Sequence, residues 1–175
     1  MTVKTIFLDR DGVINKEKGY LYKIDDFEWI EGAKESIKYL NDHGYYVFVV
    51  TNQSGIARGY YSENDYQMLS NWMKNQFQTK NIDILDIFHC PHGPKSKCIC
   101  RKPKPGMLLK ALQKYDIDME KSWLIGDKET DIICANKAGI FNTVLVKSGH
   151  KINESPSKAK FILGTILDSN KVITS

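Results

Sequence analysis

Ile6-Phe7-Leu8-Asp9-Arg10-Asp11-Gly12 is the stretch on which the reading of this chain turns. Three apolar residues run straight into two carboxylates one residue apart, and a glycine follows. A short apolar run without alternation suits a strand of a parallel sheet, which is covered on both faces. The carboxylates then fall where that strand ends, and open α/β sheets bind ligands outside the carboxyl ends of their strands. Two aspartates placed there repel each other unless a cation or a shared proton holds them.

Working outward, residues 13–31 show no helical or alternating period and read as an irregular flap over the strand end. Glu31-Gly32 opens a helix to about Asp42, with Ala33, Ile37 and Leu40 on one face, and His43-Gly44 ends it. Tyr45 to Val50 is the clearest strand, β-branched and aromatic, and it delivers Thr51-Asn52-Gln53-Ser54-Gly55. Ser62 caps a helix to about Gln78, whose stripe of Tyr66, Leu69, Trp72, Met73 and Phe77 reads as core. Ile82 to Cys90 gives a third strand, followed by a loop to about Lys104 and a helix starting at Pro105. Ser122-Trp123-Leu124-Ile125-Gly126-Asp127 repeats the opening design, a helix runs from about Thr130 to Gly139, and Thr143 to Val146 is the fifth strand. A short strand near Phe161-Ile162 and a weak helix complete the tail.

This alternation predicts an α/β protein: a Rossmann-like three-layer α/β/α sandwich with a mainly parallel sheet. Residues 1–175 make one domain, with 90–100 as an inserted loop. There is no room for a separate cap of about 50 residues or more, so the site must be roofed by its own loops. No apolar run approaches the roughly 20 residues of a membrane helix, and no export signal precedes the first strand. The expectation is a cytoplasmic protein for which nothing demands more than a monomer. Hydrophobic residues at 42% and charged ones at 26% are ordinary globular usage. The net charge of +4 is local: Lys95, Lys97, Arg101, Lys102 and Lys104 lie within ten positions, and without them the remainder carries −1. Such a cluster fits the grip on a small anion better than a face tracking a polynucleotide.

Four strand ends thus bring polar groups to one edge: Asp9 and Asp11, Thr51 and Asn52, the basic loop, and Asp127. Aspartates from two strands can hold Mg²⁺, a hard ion that prefers oxygen. A hydroxyl, an amide and a lysine beside it suit phosphoryl oxygens. Each piece alone is weak, since Asp-x-Asp is usually a turn and Gly-Asp a helix start; their order and placement together are not.

Phe7-Leu8-Asp9-Arg10-Asp11-Gly12, the run from Val49 to Gly59, Arg101-Lys102-Pro103 and Ile125-Gly126-Asp127-Lys128 resemble the four motifs of haloacid dehalogenase-like phosphatases. Thr51-Asn52-Gln53-Ser54-Gly55-Ile56-Ala57-Arg58-Gly59 and the run from Cys100 to Met107 are more closely similar to the D-glycero-D-manno-heptose 1,7-bisphosphate phosphatases. The resemblance covers roughly residues 5 to 148. It implies Asp9 as a nucleophile forming an aspartyl-phosphate. Asp11 would be the general acid for the leaving sugar oxygen and then the base for water. Mg²⁺ would be held by Asp9, Asp127 and the backbone carbonyl of Asp11. Thr51 and Lys102 would stabilise the phosphoryl oxygens. Glu17, Lys18, Gly19, Tyr20, Asn52, Gln53, Ser54, Arg101 and Lys128 would join them in binding substrate, and Asp131 reads as a helix-start or supporting residue.

Cys90-Pro91-His92 and Cys98-Ile99-Cys100 place three potential thiolates and one imidazole within eleven positions, the pattern of a closed structural Cys₃His zinc site. Reduced cysteines alone would leave a loop too poor in apolar residues to hold itself. His89 is the competing imidazole, but strand alternation points it away; Cys134 reads as a packing residue. Zinc here would fix Arg101 and Lys102 over the phosphate. The five-residue gap between ligand pairs is short for the resembled family, which bears on the pocket contour. Two alternatives to a heptose bisphosphate 7-phosphatase remain: a histidinol-phosphate phosphatase, and a zinc-containing nucleic-acid module. The latter leaves Asp9, Asp11 and Asp127 unexplained.

Overall fold

The computed structural model describes residues 2–154 and 156–173. Its strands β1 (Thr5–Leu8), β2 (Tyr46–Asn52), β3 (Asp86–Cys90), β4 (Trp123–Gly126), β5 (Asn142–Val146) and β6 (Phe161–Leu163) form a sheet of order β3-β2-β1-β4-β5-β6. Every pairing in it is parallel. The helices are α1 (Ala33–Asp42), α2 (Glu63–Gln78), α3 (Gly106–Lys114) and α4 (Glu129–Lys137).

Side chains alternate across a strand, so the opening triplet divides between the two faces. Ile6 and Leu8 join Val47, Val49 and Ile125 in a core with Ile37 and Leu40 of α1 and Leu69, Met73 and Phe77 of α2. Phe7 joins Phe48, Val50 and Leu124 in a second core with Met107, Leu108 and Ala111 of α3 and Cys134 and Ala135 of α4. Both faces are apolar because both are covered, which is why the strand sequences do not alternate. Among the described residues no helix is long and apolar enough to cross a membrane.

Ser62 caps α2 as expected, its hydroxyl accepting from Asp65 N at 3.1 Å while Asp65 returns a bond to the Ser62 N–H. Several boundaries differ from the sequence reading, and β2 runs Tyr46–Asn52, so it starts one residue later and takes in Thr51 and Asn52. β3 begins at Asp86, not Ile82: Ile82 and Ile84 are buried, but they pack into the first core before the ladder with β2 begins. Pro105 is the cap residue of α3 and Gly106 its first helical residue. The flap is tied at its base, where Lys16 N donates to Glu28 O at 2.8 Å and Ile30 N to Ile14 O at 2.9 Å. There Phe27 and Trp29 pack edge-on to Trp72 and Phe77.

The strand order reverses direction between β1 and β4. Open α/β sheets bind ligands at such a switch point, and it sets Asp9 beside Asp127, with Asp9 N donating to Ile125 O at 3.0 Å.

Candidate active site

At the switch point Asp9, Asp127 and Asp131 each offer a carboxylate oxygen, all within 4.8 Å of one another, and all three residues are buried. One buried cation stands among them. Lys102 Nζ lies 2.6 Å from Asp131 Oδ1, 3.0 Å from Asp9 Oδ1 and 2.9 Å from the Val50 carbonyl. Burial works to lower the lysine pKa, but the two carboxylates overcome it and raise it. Three anions against one ammonium leave the cluster short of positive charge. Burial, with the neighbouring Asp127 and Asp11 acting against the pull of Lys102, pushes the Asp9 carboxyl up to about 7.

The four oxygens of Asp127 and Asp131 differ in what they have left to give. Asp131 Oδ2 accepts from the backbone N–H of Asp127 (3.2 Å) and Lys128 (3.1 Å), closing the first turn of α4, and its Oδ1 takes Lys102. Asp131 is therefore the helix-start and supporting residue expected. Asp127 Oδ2 accepts twice from His150, whereas its Oδ1 is buried with no hydrogen-bond partner. A buried carboxylate oxygen with no donor is costly, and an oxygen-preferring divalent cation held by Asp127 and Asp9 would supply the missing partner. The donor set fits Mg²⁺.

Asp11 sits differently. Its carboxylate accepts from Arg10 Nη2 at 3.0 Å, Asn15 Nδ2 at 2.9 Å and Gln53 Nε2 at 3.2 Å. Arg10 is only 1% exposed and also donates to the Leu21 carbonyl of the flap at 3.0 Å. Gln53 in turn donates to Thr51 Oγ1 at 2.9 Å and accepts from Tyr61 OH at 2.5 Å. Tyr61 stacks on Tyr22, and Tyr60 meets Tyr20 edge-on, so two tyrosine pairs clasp the flap to the loop after β2.

Between these parts lies a polar cleft of about 270 Å³ lined by Asp11, Glu17, Gly19, Tyr20, Asn52, Gln53, Ser54, Arg58, Tyr61, Arg101, Lys128 and His150. An adjoining pocket of about 60 Å³, which shares Asp11, Glu17, Asn52, Lys128 and His150 with it, is lined by Asp9 and Lys102. Most of the substrate-contact set thus converges. Lys18 does not: its ammonium pairs with Glu28 at 2.5 Å on the flap's outer side. Thr51 is buried beneath Gln53. Asn52 trades hydrogen bonds with the Lys102 backbone, 3.1 and 3.3 Å, and so locks the basic loop to the end of β2.

The basic loop is braced by the cysteine and histidine cluster. Cys90, His92, Cys98 and Cys100 converge within 4.8 Å. Cys90 Sγ is 3.8 Å from Cys98 Sγ and 3.5 Å from His92 Nδ1, and Cys100 Sγ is 3.3 Å from that same nitrogen. Zinc–sulfur bonds of about 2.3 Å make tetrahedral edges of about 3.8 Å between sulfurs, slightly less to nitrogen, so the donors suit zinc; Cys90 and Cys100, at 2.9 Å, are closer than such an edge. Arg101 donates to the His92 carbonyl at 3.3 Å and Lys104 to that of Cys98 at 2.6 Å. His89 turns away to Glu63 at 2.7 Å, and Cys134 is buried in the second core.

Sequence reasoning missed Arg58, Tyr61 and His150 as cleft residues. Arg58 lay inside a motif already quoted. His150 closes the short turn that follows β5, and applying the strand-end rule to the fifth strand would have found it.

A family model described as HAD-hydrolase-like matches residues 99–169. The chain is 47% identical to the D-glycero-α-D-manno-heptose-1,7-bisphosphate 7-phosphatase of Photorhabdus laumondii, over 98% of this chain and 97% of that one. It is 40% identical to the D-glycero-β-D-manno-heptose-1,7-bisphosphate 7-phosphatase of Escherichia coli K12, over 98% and 94%. The structure of the D,D-heptose 1,7-bisphosphate phosphatase from B. bronchiseptica, complexed with magnesium and phosphate, matches at a TM-score of 0.86 with 29% identity, covering 98% of both chains. The convergence of strand-end carboxylates, a buried lysine and a four-donor cysteine and histidine loop, together with these identities, places the chain in the heptose-1,7-bisphosphate 7-phosphatase family of HAD-like hydrolases.

Proposed function

We propose that this protein is a Mg²⁺-dependent phosphoric monoester hydrolase that removes the 7-phosphate of D-glycero-D-manno-heptose 1,7-bisphosphate and leaves the 1-phosphate. It would serve the supply of nucleotide-activated heptose for bacterial lipopolysaccharide or other surface polysaccharide, in the cytoplasm and as a monomer. The relatives' names support the substrate. The observation that carries the chemistry is the buried, unpartnered Oδ1 of Asp127 beside Asp9.

The Asp9 carboxylate attacks phosphorus in line, forming an acyl phosphate on Asp9 as the bond from phosphorus to the sugar oxygen breaks. Asp11 gives its proton to that oxygen, then takes one from the water that attacks the aspartyl-phosphate and releases inorganic phosphate. Asp9, Asp127 and the Asp11 carbonyl would hold Mg²⁺, which supplies neutralisation of charge on the transferring group. Lys102, pinned by Asp131 and Val50 O, and Thr51 stabilise the phosphoryl oxygens. Glu17, Gly19, Tyr20, Asn52, Gln53, Ser54, Arg101 and Lys128 surround the sugar and its second phosphate. Zn²⁺ held by Cys90, His92, Cys98 and Cys100 shapes the loop and takes no part in the reaction.

The histidinol-phosphate alternative has no support in these relatives. The nucleic-acid alternative fares no better, because Lys102 is buried and Arg101 and Lys104 donate to the loop's own carbonyls. The test is phosphate release from both anomers of the heptose bisphosphate, with histidinol phosphate alongside and the remaining phosphate located by ³¹P NMR. Release of the 7-phosphate that disappears in Asp9→Asn is the expected result; preference for histidinol phosphate, or an active Asp9→Asn protein, would refute the reading.

A further inference from the structure

The turn after β5, Lys147-Ser148-Gly149-His150, is pressed onto the carboxylate of Asp127. Ser148 Oγ donates to the Gly12 carbonyl at 2.7 Å, which fastens the turn to the loop that carries Asp9 and Asp11. Gly12 and Gly149 are where the two loops touch. A Cβ at Gly149 would lie 2.2 Å from Asp127 Oδ2 and one at Gly12 2.4 Å from it, so neither position has room for a side chain.

With that approach made, His150 delivers two donors to one oxygen. Its backbone N–H lies 3.0 Å and its Nδ1 2.6 Å from Asp127 Oδ2. A carboxylate oxygen only accepts, so Nδ1 carries the proton and Nε2 is left on the cleft side, 3.8 Å from Glu17 of the flap. Two donors converging on Oδ2 fix the plane of the carboxylate, and the oxygen they leave over is the buried, unpartnered Oδ1.

We propose that His150 is a positioning residue of the metal site: by holding Oδ2 of Asp127 it orients Oδ1 toward Mg²⁺ and so sets the affinity for the ion. The inference rests on the reading of Asp127 as a magnesium ligand. Groups that orient a ligand without touching the metal typically account for about 10–100-fold in metal affinity.

The experiment is calorimetric titration of Mg²⁺ into the substrate-free full chain, zinc retained, for wild type, His150→Ala, His150→Asn and Asp127→Asn. Thermal unfolding without Mg²⁺ is measured in parallel. His150→Ala should bind Mg²⁺ about 10-fold or more weakly, with a near wild-type unfolding midpoint in Mg²⁺-free buffer. In His150→Asn the amide nitrogen stands close to where Nδ1 was, so affinity should largely return. Unchanged Mg²⁺ affinity in His150→Ala overturns the proposal. So does an equal loss in both His150 variants accompanied by a lower Mg²⁺-free midpoint, which would mark a purely structural role. Unchanged affinity in Asp127→Asn would instead remove the metal assignment itself, and the positioning role with it.

Discussion

Asp9→Asn should abolish turnover and, with Mg²⁺ removed, make the protein more stable. Asp9 is buried among Asp127, Asp131 and Asp11 with Lys102 as the nearest cation, and its carboxyl is pushed up to about 7, burial being the largest cause. An aspartate raised by about three pH units at about 1.4 kcal/mol each loses roughly 4 kcal/mol of folding stability once ionised. The sign follows from the direction. A carboxyl whose folded value is raised contributes fully below its unfolded value, and that contribution is lost as pH rises through about 7. Asparagine keeps the shape and discards the charge, but also weakens the pairing with Lys102, so the expected net gain is about 2–4 kcal/mol at pH 8. For a chain of this size that raises the unfolding midpoint by about 5–15 °C. The assay is thermal and urea unfolding of both proteins, Mg²⁺-free, at pH 4, 6 and 8. The gap should widen with pH and nearly close at pH 4. Saturating Mg²⁺ should stabilise the wild type more than the variant. A variant less stable than wild type at pH 8, or a gap independent of pH, would refute the charge-excess account of the cluster.

Asp11→Asn should cost about 10²–10⁴-fold in kcat/KM for the sugar phosphate. The loss should be far smaller for an aryl phosphate, whose leaving group departs without a proton; an equal loss on both would mean that Asp11 is not the general acid. Tyr61→Phe removes the hydroxyl donor from buried Gln53, 3% exposed, and should destabilise the protein by about 1–3 kcal/mol in urea unfolding. Metal analysis of protein purified without chelator should find one zinc per chain. Stripping it should raise KM more than it lowers kcat, because the loop carrying Arg101 loosens while the strand-end aspartates stay in place; protein isolated without zinc would contradict the structural site.

Much of this was legible in chain order. Apolar triplets that run into aspartates at Asp9 and Asp127 announce strands and what they deliver, because strand periodicity and the polarity of a strand end are local properties. The spacing of Cys90, His92, Cys98 and Cys100 is local too, since a loop that closes on a metal draws its donors from one short segment. The family motifs added roles that spacing alone leaves open, and the structure brings most of those residues to one cleft. Lys18 and Thr51 are the exceptions: the flap's antiparallel base points Lys18 at Glu28, a pairing that no reading of an aperiodic segment supplies, and Thr51 lies buried beneath Gln53.

What the sequence by itself determined is therefore the inventory: which strands end in carboxylates, which loop carries cations, which residues can hold zinc. What only the tertiary structure decided is adjacency. Asp9 meets Asp127 because β1 lies beside β4, and Lys102 reaches Asp9 and Asp131 because β2 and β4 flank β1. His150 reaches Asp127 because β5 pairs with β4 and two glycines let the loops touch. Arg10, charged and between two aspartates, is buried because its donors find Asp11 and the Leu21 carbonyl once the flap folds over it. Such pairings join segments far apart in the chain, and strand order, which no local pattern encodes, selects them.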